Sequence, residues 1–481
     1  MIKFGTDGWR AVMCEEFTFP NVRLVVQGIC NYLKCQNADP NKGVFIGYDT
    51  RSFSDKFAEV SAQVLCANGF RVFLPERDCP TPVTAFSIGQ TNALGAIMFT
   101  ASHNPSQYNG IKFIPQNMGP AMPKVTCKIE EEVNKIINEK REIKGADFVG
   151  HMHDVPMQKK ICYINPMPKY IKRIKSLIDY KKIKSANLKI IYDALYGTGR
   201  GYVEAVLGGI CKIKSIHNFR EPEFGGLNPE PNEINLKELM KELKKTKNHI
   251  GISTDGDADR FGIVDSDGTY INANNVISIV LLHLLKNRGM KGPVARSVAT
   301  THLIDKIAKR YNIEVVETPV GFKYIGEALR EKGAILGGEE SGGLSIRGHI
   351  PEKDGILAVS LMAEVRAFEK KSYKEMLKNI AKEFGPVYNQ RIDLHITEQR
   401  KKELFEELSC FNARDFAGVK ISKINTLDGY QMLLEDSSWI LLRPSGTEPI
   451  VRAYVETDSV KKFKVLSTEA ERFVTGGLAS R

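Results

Sequence analysis

The sequence predicts an α/β protein with three similar domains, built on mixed, largely parallel sheets, and a smaller C-terminal α+β domain, arranged around a central cleft. Three observations carry this expectation. Strand-like and helix-like stretches alternate through roughly the first three quarters of the chain, as they do where parallel sheets are covered by helices. Three of the strands run into loops rich in glycine and polar residues, near Ser102, Asp255 and Glu339, and ligands of open α/β sheets bind outside the carboxyl ends of strands. The segment after Gly385 differs, with shorter strand-like pieces and a loop at Arg443.

A chain of 481 residues exceeds what one hydrophobic core organises, so several domains are expected. Apolar runs at residues 44–48, 93–99, 188–192, 250–253 and 334–336 read as strands, and each leads into a polar loop. Helical spacing of apolar residues marks 55–65 and 301–308 between them. The longest apolar run, 276–285, is too short to span a bilayer and contains a histidine, so it reads as a buried helix. The expected division is 1–150 with the Ser102 loop, 151–258 ending in the Asp255 loop, 259–370 with the Glu339 loop, and 385–481 with the Arg443 loop.

Composition narrows the class. Nine dispersed cysteines without a Cys-x-x-Cys pair offer no zinc site and fit reduced thiols. No signal-peptide core opens the sequence, so a cytoplasmic location is expected, with no membrane partner. A net charge of +11 favours an anionic ligand. The basic residues, however, are spread along helix-like stretches such as 237–245, the usual form of a solvated face, and no nucleic-acid signature is present. A phosphorylated small molecule is the better candidate, and no specific nucleic acid is expected.

The chemistry lies in the loops. Asp255, Asp257 and Asp259 alternate within six residues (Asp-Gly-Asp-Ala-Asp-Arg). Carboxylates this close repel one another, and a hard cation neutralises them. An EF-hand would need glycine at its sixth position and glutamate at its twelfth, where the chain has Arg260 and Ser266. Flanking apolar residues at 261–264 argue against a casual surface turn. Ser102 sits in Thr-Ala-Ser-His-Asn-Pro at 100–105, after a strand and without the Gly-x-Ser-x-Gly elbow of a hydrolase. A serine there needs a metal or a base to act as a nucleophile. If Ser102 carries a phosphoryl group, the site gains roughly −1.5 to −2 in charge, and Arg260, His103 and Lys112 are the cations at hand to balance it. The loop Gly-Gly-Glu-Glu-Ser-Gly-Gly at 337–343 offers Glu339 and Glu340 to sugar hydroxyls, with His349 and Lys353 following as possible substrate contacts. Arg-Pro-Ser-Gly-Thr-Glu-Pro at 443–449 combines a guanidinium, hydroxyls and a flexible backbone, the parts of a phosphate-binding loop, with Arg452 nearby.

Taken together these loops, at 100–105, 255–260, 338–342 and 443–449, with Gly-Thr-Asp-Gly-Trp-Arg at 5–10, resemble the signatures of the α-D-phosphohexomutases, in the phosphoglucomutase and phosphomannomutase branch. They occur in the family's order and the resemblance covers essentially the whole chain. It implies an enzyme that interconverts hexose 1-phosphate and hexose 6-phosphate, of glucose, mannose or both, through phospho-Ser102 and a bisphosphorylated intermediate that turns over in the cleft. It implies Mg²⁺ held by Asp255, Asp257 and Asp259 against Ser102, and hexose 1,6-bisphosphate as the activator that phosphorylates the serine. Arg10, Lys112 and Arg260 match positions that steady the transferring phosphoryl group. Glu339 and Ser341 match the sugar-reading pair, and Arg443, Ser445, Gly446 and Thr447 match the loop that grips the other phosphate. Arg296 and Lys323 match basic positions near the substrate, Lys323 being a candidate for proton transfer. The expected form is a monomer or homodimer with a phosphorylated hexose as its partner. Rival readings are a phosphoglucosamine mutase, a phosphosugar-binding paralogue without catalysis, and a phosphatase using the same serine and metal.

Overall fold

The computed structural model describes residues 2–5, 7–145, 159–411, 413–445 and 450–476, and these form four sheets. Strands β1 (Trp9–Val12), β2 (Val44–Tyr48), β3 (Val72–Pro75), β4 (Gly95–Phe99), β5 (Tyr108–Pro115) and β6 (Ile161–Ile164) build the first, in the order β1-β5-β4-β2-β3-β6. Strands β7 (Lys189–Asp193), β8 (Lys212–Ile216), β9 (His249–Thr254), β10 (Phe261–Val264) and β11 (Tyr270–Ile271) give the second, β11-β10-β9-β7-β8. The third is β13-β12-β14-β15, from β12 (Val294–Ser297), β13 (Val315–Thr318), β14 (Leu336–Glu339) and β15 (Gly343–Ile346).

One topology recurs in all three. A central strand (β2, β7, β12) lies between two parallel neighbours, and the later of these (β4, β9, β14) turns back into an antiparallel strand (β5, β10, β15). The three loops singled out in the sequence are these turns, so they hold equivalent places at the carboxyl ends of equivalent strands. Parallel strands covered on both faces read as nearly unbroken apolar runs, and β4 and β14 are buried at every position.

The helices follow from their spacing and caps. Phe19–Cys35 starts at Thr18, whose hydroxyl accepts the Asn21 N–H, and buries Val22, Val25, Val26, Ile29 and Leu33 on one face. Ser54–Ala67 covers the stretch expected at 55–65, and Leu303–Arg310 takes up all but the first two residues of the stretch expected at 301–308. Ala273–Lys286 is buried almost all round, as its apolar run predicts. The fourth domain is antiparallel, in the order β16-β21-β20-β19-β18-β17, from β16 (Tyr388–His395), β17 (Asp415–Phe416), β18 (Val419–Asn425), β19 (Tyr430–Leu434), β20 (Trp439–Pro444) and β21 (Ile450–Thr457). The helices Glu398–Ser409 and Val460–Thr475 pack on it around Leu404, Leu408, Leu466 and Val474. A small cluster of Val298, Ala299, Trp439, Leu441 and Tyr454 joins it to the third domain.

The structure moves the expected divisions. Residues 161–164 pair in parallel with β3, so the first sheet takes its last strand from beyond residue 150. The second sheet runs on to Ile271, so a division at 258/259 would cut the hairpin that carries the acidic loop. The helix Tyr373–Phe384, left between domains by the sequence reading, buries Tyr373, whose hydroxyl donates to the Met362 carbonyl of the preceding helix. All nine cysteines are free thiols. Among the described residues no helix is long and apolar enough to cross a membrane.

Candidate active site

The loop after β4 and the loop after β9 meet directly. The Ser102 hydroxyl donates to Asp255 Oδ2 at 2.9 Å, and His103 Nδ1 lies 3.3 Å from the same Oγ. Ser102 is buried, and its φ of 53° is the left-handed conformation that L-residues avoid. Burial, reinforced by Arg260 and Arg10, holds His103 well below the usual histidine range, so its ring is neutral.

Asp255, Asp257 and Asp259 are all buried and present oxygen atoms within 4.8 Å of one another. Asp255 Oδ1 accepts the Arg260 backbone N–H at 2.9 Å. Asp257 Oδ2 takes the Thr81 hydroxyl at 2.6 Å and Lys112 Nζ at 3.0 Å. Lys112 Nζ also lies 3.3 Å from Asp259 Oδ2 and 3.0 Å from Asp7 Oδ2. Lys353 Nζ closes the network, 3.3 Å from Asp259, 3.4 Å from Asp7 and 3.4 Å from Glu352. The lysines occupy one oxygen of Asp257 and of Asp259, while the Oδ1 atoms of both are buried without a hydrogen-bond partner. Two orphaned anionic oxygens are costly unless a cation meets them, and an all-oxygen donor set suits Mg²⁺. Burial, and then the charges of Asp257 and Asp259, pushes Asp255 well above the carboxylate range. Asp257 is driven the other way: Lys112 and the Thr81 hydroxyl outweigh its burial and hold it low.

The other predicted residues fall into two groups. Arg10, on β1, reaches Asn104 Oδ1 at 2.8 Å beside the serine loop. Arg260 Nη1 lies 3.5 Å from Glu230, and its Nε is buried without a partner. The third domain is wedged against it: a Cβ on Gly355 would stand 2.2 Å from the Arg260 carbonyl, so only glycine fits. Glu339 is buried at the end of β14 and accepts the Gly321 N–H at 2.7 Å. Burial, with Glu340 beside it, pushes its carboxyl up to about 7. Ser341 sits in the turn that follows, which the Gly342 N–H closes on the Glu339 carbonyl at 3.1 Å. Arg443 and Arg452 are cross-strand partners on β20 and β21, and Ser445 is buried at the end of β20. Arg443 Nε lies 3.0 Å from Asp428, which also accepts the Val320 N–H of the third domain at 2.9 Å. The Lys323 ammonium is lowered by burial, with Asp7 and Asp428 opposing the shift. Gly446 and Thr447 lie outside the described residues.

Three expected substrate contacts are corrected. Arg296 is not offered to a substrate: its guanidinium is buried in a fork on Asp305, at 2.6 and 2.7 Å, and a further bond of 2.9 Å to Glu317. His349 is turned away as well. Its side chain is buried, with Nε2 2.7 Å from Asp354 and its ring 6.4 Å from that of Tyr170, in the packing between the second and third domains. Asp354 is committed there too, taking the Tyr170 hydroxyl at 2.6 Å and capping the helix Gly355–Glu369. Lys353, read as a possible substrate contact, is instead bound into the acidic network.

Sequence reasoning missed Asp7, Thr81, Glu352 and Arg391. Asp7 lay inside the 5–10 motif without a role. Arg391, on β16, shares a sheet face with Arg452 and Arg443 through the Arg391–Tyr454 and Asp393–Arg452 pairings, and its charge acts on Glu340. Only the sheet register reveals this.

Four family models match the chain in order: phosphoglucomutase/phosphomannomutase α/β/α domain I at residues 1–140, domain II at 168–268, domain III at 272–384 and the C-terminal domain at 397–472. A phosphoglucomutase/phosphomannomutase of Thermococcus kodakarensis is 31% identical over 463 residues, which is 95% of each chain. A phosphoglucosamine/phosphogalactosamine mutase of Sulfurisphaera tokodaii is 27% identical over 478 residues, covering 98% of this chain and 99% of the other. The crystal structure of a Thermus thermophilus protein assigned as a phosphomannomutase superposes with a TM-score of 0.84 at 30% identity, covering 98% of this chain and 99% of that one.

Proposed function

Because the chain belongs to the phosphoglucomutase/phosphomannomutase family of the α-D-phosphohexomutase superfamily, we propose that it interconverts hexose 1-phosphate and hexose 6-phosphate, of glucose, mannose or both, through phosphorylated Ser102. The observation that supports this most directly is the Ser102 hydroxyl 2.9 Å from Asp255, at the edge of a buried carboxylate triad. The chain is a mutase, an isomerase that moves a phosphoryl group within one substrate.

Phosphoryl transfer needs mainly positioning and charge stabilisation. The substrate's existing phosphate is bound by Arg443 and Ser445, with Arg452 on the same sheet face, and its free hydroxyl faces phospho-Ser102. The hydroxyl oxygen bonds to phosphorus as the bond from phosphorus to Ser102 Oγ breaks, giving a hexose 1,6-bisphosphate. The hydroxyl proton passes to a base, for which we assign Lys323. Acidic neighbours hold Lys112 and Lys353 protonated against their burial, whereas burial lowers Lys323. The bisphosphate turns over, Ser102 Oγ bonds to its other phosphorus as the bond from that phosphorus to the sugar oxygen breaks, and the freed sugar oxygen takes the proton back from Lys323. Arg10, Lys112 and Arg260 surround the transferring group. Asp255, Asp257 and Asp259, with Ser102, would hold Mg²⁺. When bound, that ion would offset the charge of the transferred phosphoryl oxygens. Glu339 and Ser341 contact sugar hydroxyls, and hexose 1,6-bisphosphate recharges a serine that has lost its phosphate. The proposed setting is the cytoplasm, as a monomer or homodimer.

Turnover of glucose 1-phosphate, mannose 1-phosphate and glucosamine 1-phosphate, with mass spectrometry of Ser102, tests the reading. Isomerisation of the first two, a phosphate on Ser102, and loss of steady turnover in Ser102→Ala are expected. Preference for the amino sugar would replace the sugar assignment with phosphoglucosamine, the reading supported by the likeness to the Sulfurisphaera tokodaii mutase. An unphosphorylated Ser102 after incubation with a sugar bisphosphate would overturn the mechanism.

A further inference from the structure

Arg51 stands just beyond β2, and its side chain is wholly buried. A buried guanidinium next to a phosphate-handling serine would ordinarily be read as a phosphate ligand. Its bonds exclude that role. Nη2 donates to the carbonyls of Ser102 at 2.7 Å and Asn104 at 2.6 Å, and Nη1 to those of Pro105 at 2.7 Å and Tyr108 at 3.1 Å. Nε donates to Asp49 Oδ2 at 3.1 Å. An arginine has five N–H donors, and all five are spent. Asp49 is itself fixed by the Arg51 backbone N–H at 3.0 Å and the Ser54 hydroxyl at 2.8 Å.

The bonded carbonyls belong to the loop that carries Ser102 in its left-handed conformation. Strained backbone of this kind persists only where its surroundings over-determine it, and Arg51 supplies four of the bonds that do so here. The guanidinium carbon lies 4.9 Å from the centre of the ring of Phe224, a buried residue of the second domain. The segment containing Phe224 continues to Pro229, whose carbonyl accepts the Gly256 N–H at 3.2 Å in the acidic loop, and to Glu230, which faces Arg260. Arg51 therefore ties the serine loop to the same stretch of chain that braces the carboxylates.

We propose that Arg51 is a positioning residue for phosphoryl transfer, using its five N–H donors and the Phe224 ring to fix Ser102 Oγ against the Asp255 loop. The proposal rests on Ser102 being the phosphoryl carrier. It binds no substrate atom, so its removal should act on kcat and spare KM.

The test compares Arg51→Lys and Phe224→Leu with the unaltered chain. A lysine has three donors on one nitrogen and cannot span four carbonyls and Asp49. Arg51→Lys is expected to lower kcat by about 10²-fold, the loss typical of a reacting group displaced by about 1 Å, with KM changed by less than about twofold. Phe224→Leu leaves every guanidinium hydrogen bond in place and removes only the ring, for an expected loss of about tenfold in kcat. Hydrogen exchange of the amides at 101–108 should quicken in both, and phosphate on Ser102 should be lost to water faster than in the unaltered enzyme. If both variants melt earlier but their folded fraction turns over at the unaltered kcat, with unchanged exchange at 101–108, Arg51 is only structural and the proposal fails. Where Arg51→Lys does not fold, Phe224→Leu decides by the same two measurements. Failure of the mutase reading would appear separately, as absence of turnover in the unaltered chain, while the exchange measurement needs no turnover.

Discussion

Replacing Lys112 with methionine removes the cation that binds the acidic loop to the first domain. Met matches the length of the lysine stem and keeps its packing, so the change is chiefly in charge. Lys112 is 3% exposed and lies 3.0 Å from Asp257, 3.0 Å from Asp7 and 3.3 Å from Asp259. Burial alone would lower its pKa, yet Asp257, Asp7 and Asp259 together push it up. Removing one member of a buried ion pair costs about 3–5 kcal/mol because the other charge is left uncompensated, and here three carboxylates share the loss. The expected outcome is a destabilisation in that range, measured by denaturant unfolding without Mg²⁺. In turnover, loss of one preorganised cation beside the transferring group should lower kcat by about 10²–10³-fold. Lys112→Arg keeps the charge and should retain more of both. Asp7→Asn in the Lys112→Met background should restore part of the stability, because one stranded carboxylate has gone, but should leave kcat low; the double-mutant comparison isolates that pair. A Lys112→Met enzyme with kcat within about threefold of the unaltered one would refute the reasoning, since the triad would then be balanced without this lysine.

Two further outcomes follow from the buried carboxyls. Burial, with Glu340 beside it, pushes Glu339 up to about 7; if it accepts a sugar hydroxyl in its ionised form, kcat/KM should fall by up to about tenfold per pH unit on the acid side. Glu339→Gln should remove this limb from the pH profile, and an unchanged limb would assign it to another group. Glu364 is buried and takes the Asp179 N–H at 2.9 Å, His283 Nε2 at 2.9 Å and Arg288 Nε at 2.7 Å, with a second, shorter bond to Arg288 Nη2. His283 and Arg288 overcome burial to lower its pKa, so its stabilisation is present above the ordinary glutamate range and lost as pH falls through the lowered value. Glu364→Gln should cost about 2–4 kcal/mol at neutral pH, read as a drop in melting temperature that narrows in acid.

The chemistry legible in the sequence is the chemistry carried by contiguous residues. Asp255, Asp257 and Asp259 announce a candidate cation site from their spacing alone, and the loops at 100–105, 338–342 and 443–449 are each a contiguous stretch of sequence. The repeated topology was legible too, because equivalent strands leave equivalent loops in order. What stayed hidden depends on partners remote in the chain or on backbone atoms. Arg51 is held by four carbonyls, which no side-chain pattern encodes, and Asp49 before it read only as the end of a strand. Arg296 and His349 carry chemistry suited to a phosphosugar, but Asp305 and Glu317 claim the first, and Asp354 with Tyr170 claims the second. The domain division at residue 150 fell short because β6 crosses back to the first sheet, and hydrogen-bond partners of that kind are set by register.

The structure also changes the charge argument. From the sequence, three carboxylates and a divalent cation leave the site one negative charge in excess, before any phosphate is added. In the folded chain a fourth carboxylate, Asp7, joins the triad, and Arg10, Lys112, Arg260 and Lys353 stand around them. With Glu230 against Arg260, five carboxylates face four cations drawn from the first three domains, and Asp255, pushed well above the carboxylate range, carries less than its full charge. Burial pushes Glu352, the remaining acid in contact with Lys353, up to about 7, so it adds at most a fraction of a charge near neutrality. The protein's own groups are therefore close to balance, and the net +11 belongs to the rest of the surface. A divalent cation alone would leave the site about two charges positive, and a phosphoserine alone about two charges negative. Arriving together they cancel, in a volume where an uncompensated charge is expensive. On this count a bound cation and a serine phosphate would each be the other's counterion, while the surrounding lysines and arginines balance the charge of the protein's own carboxylates.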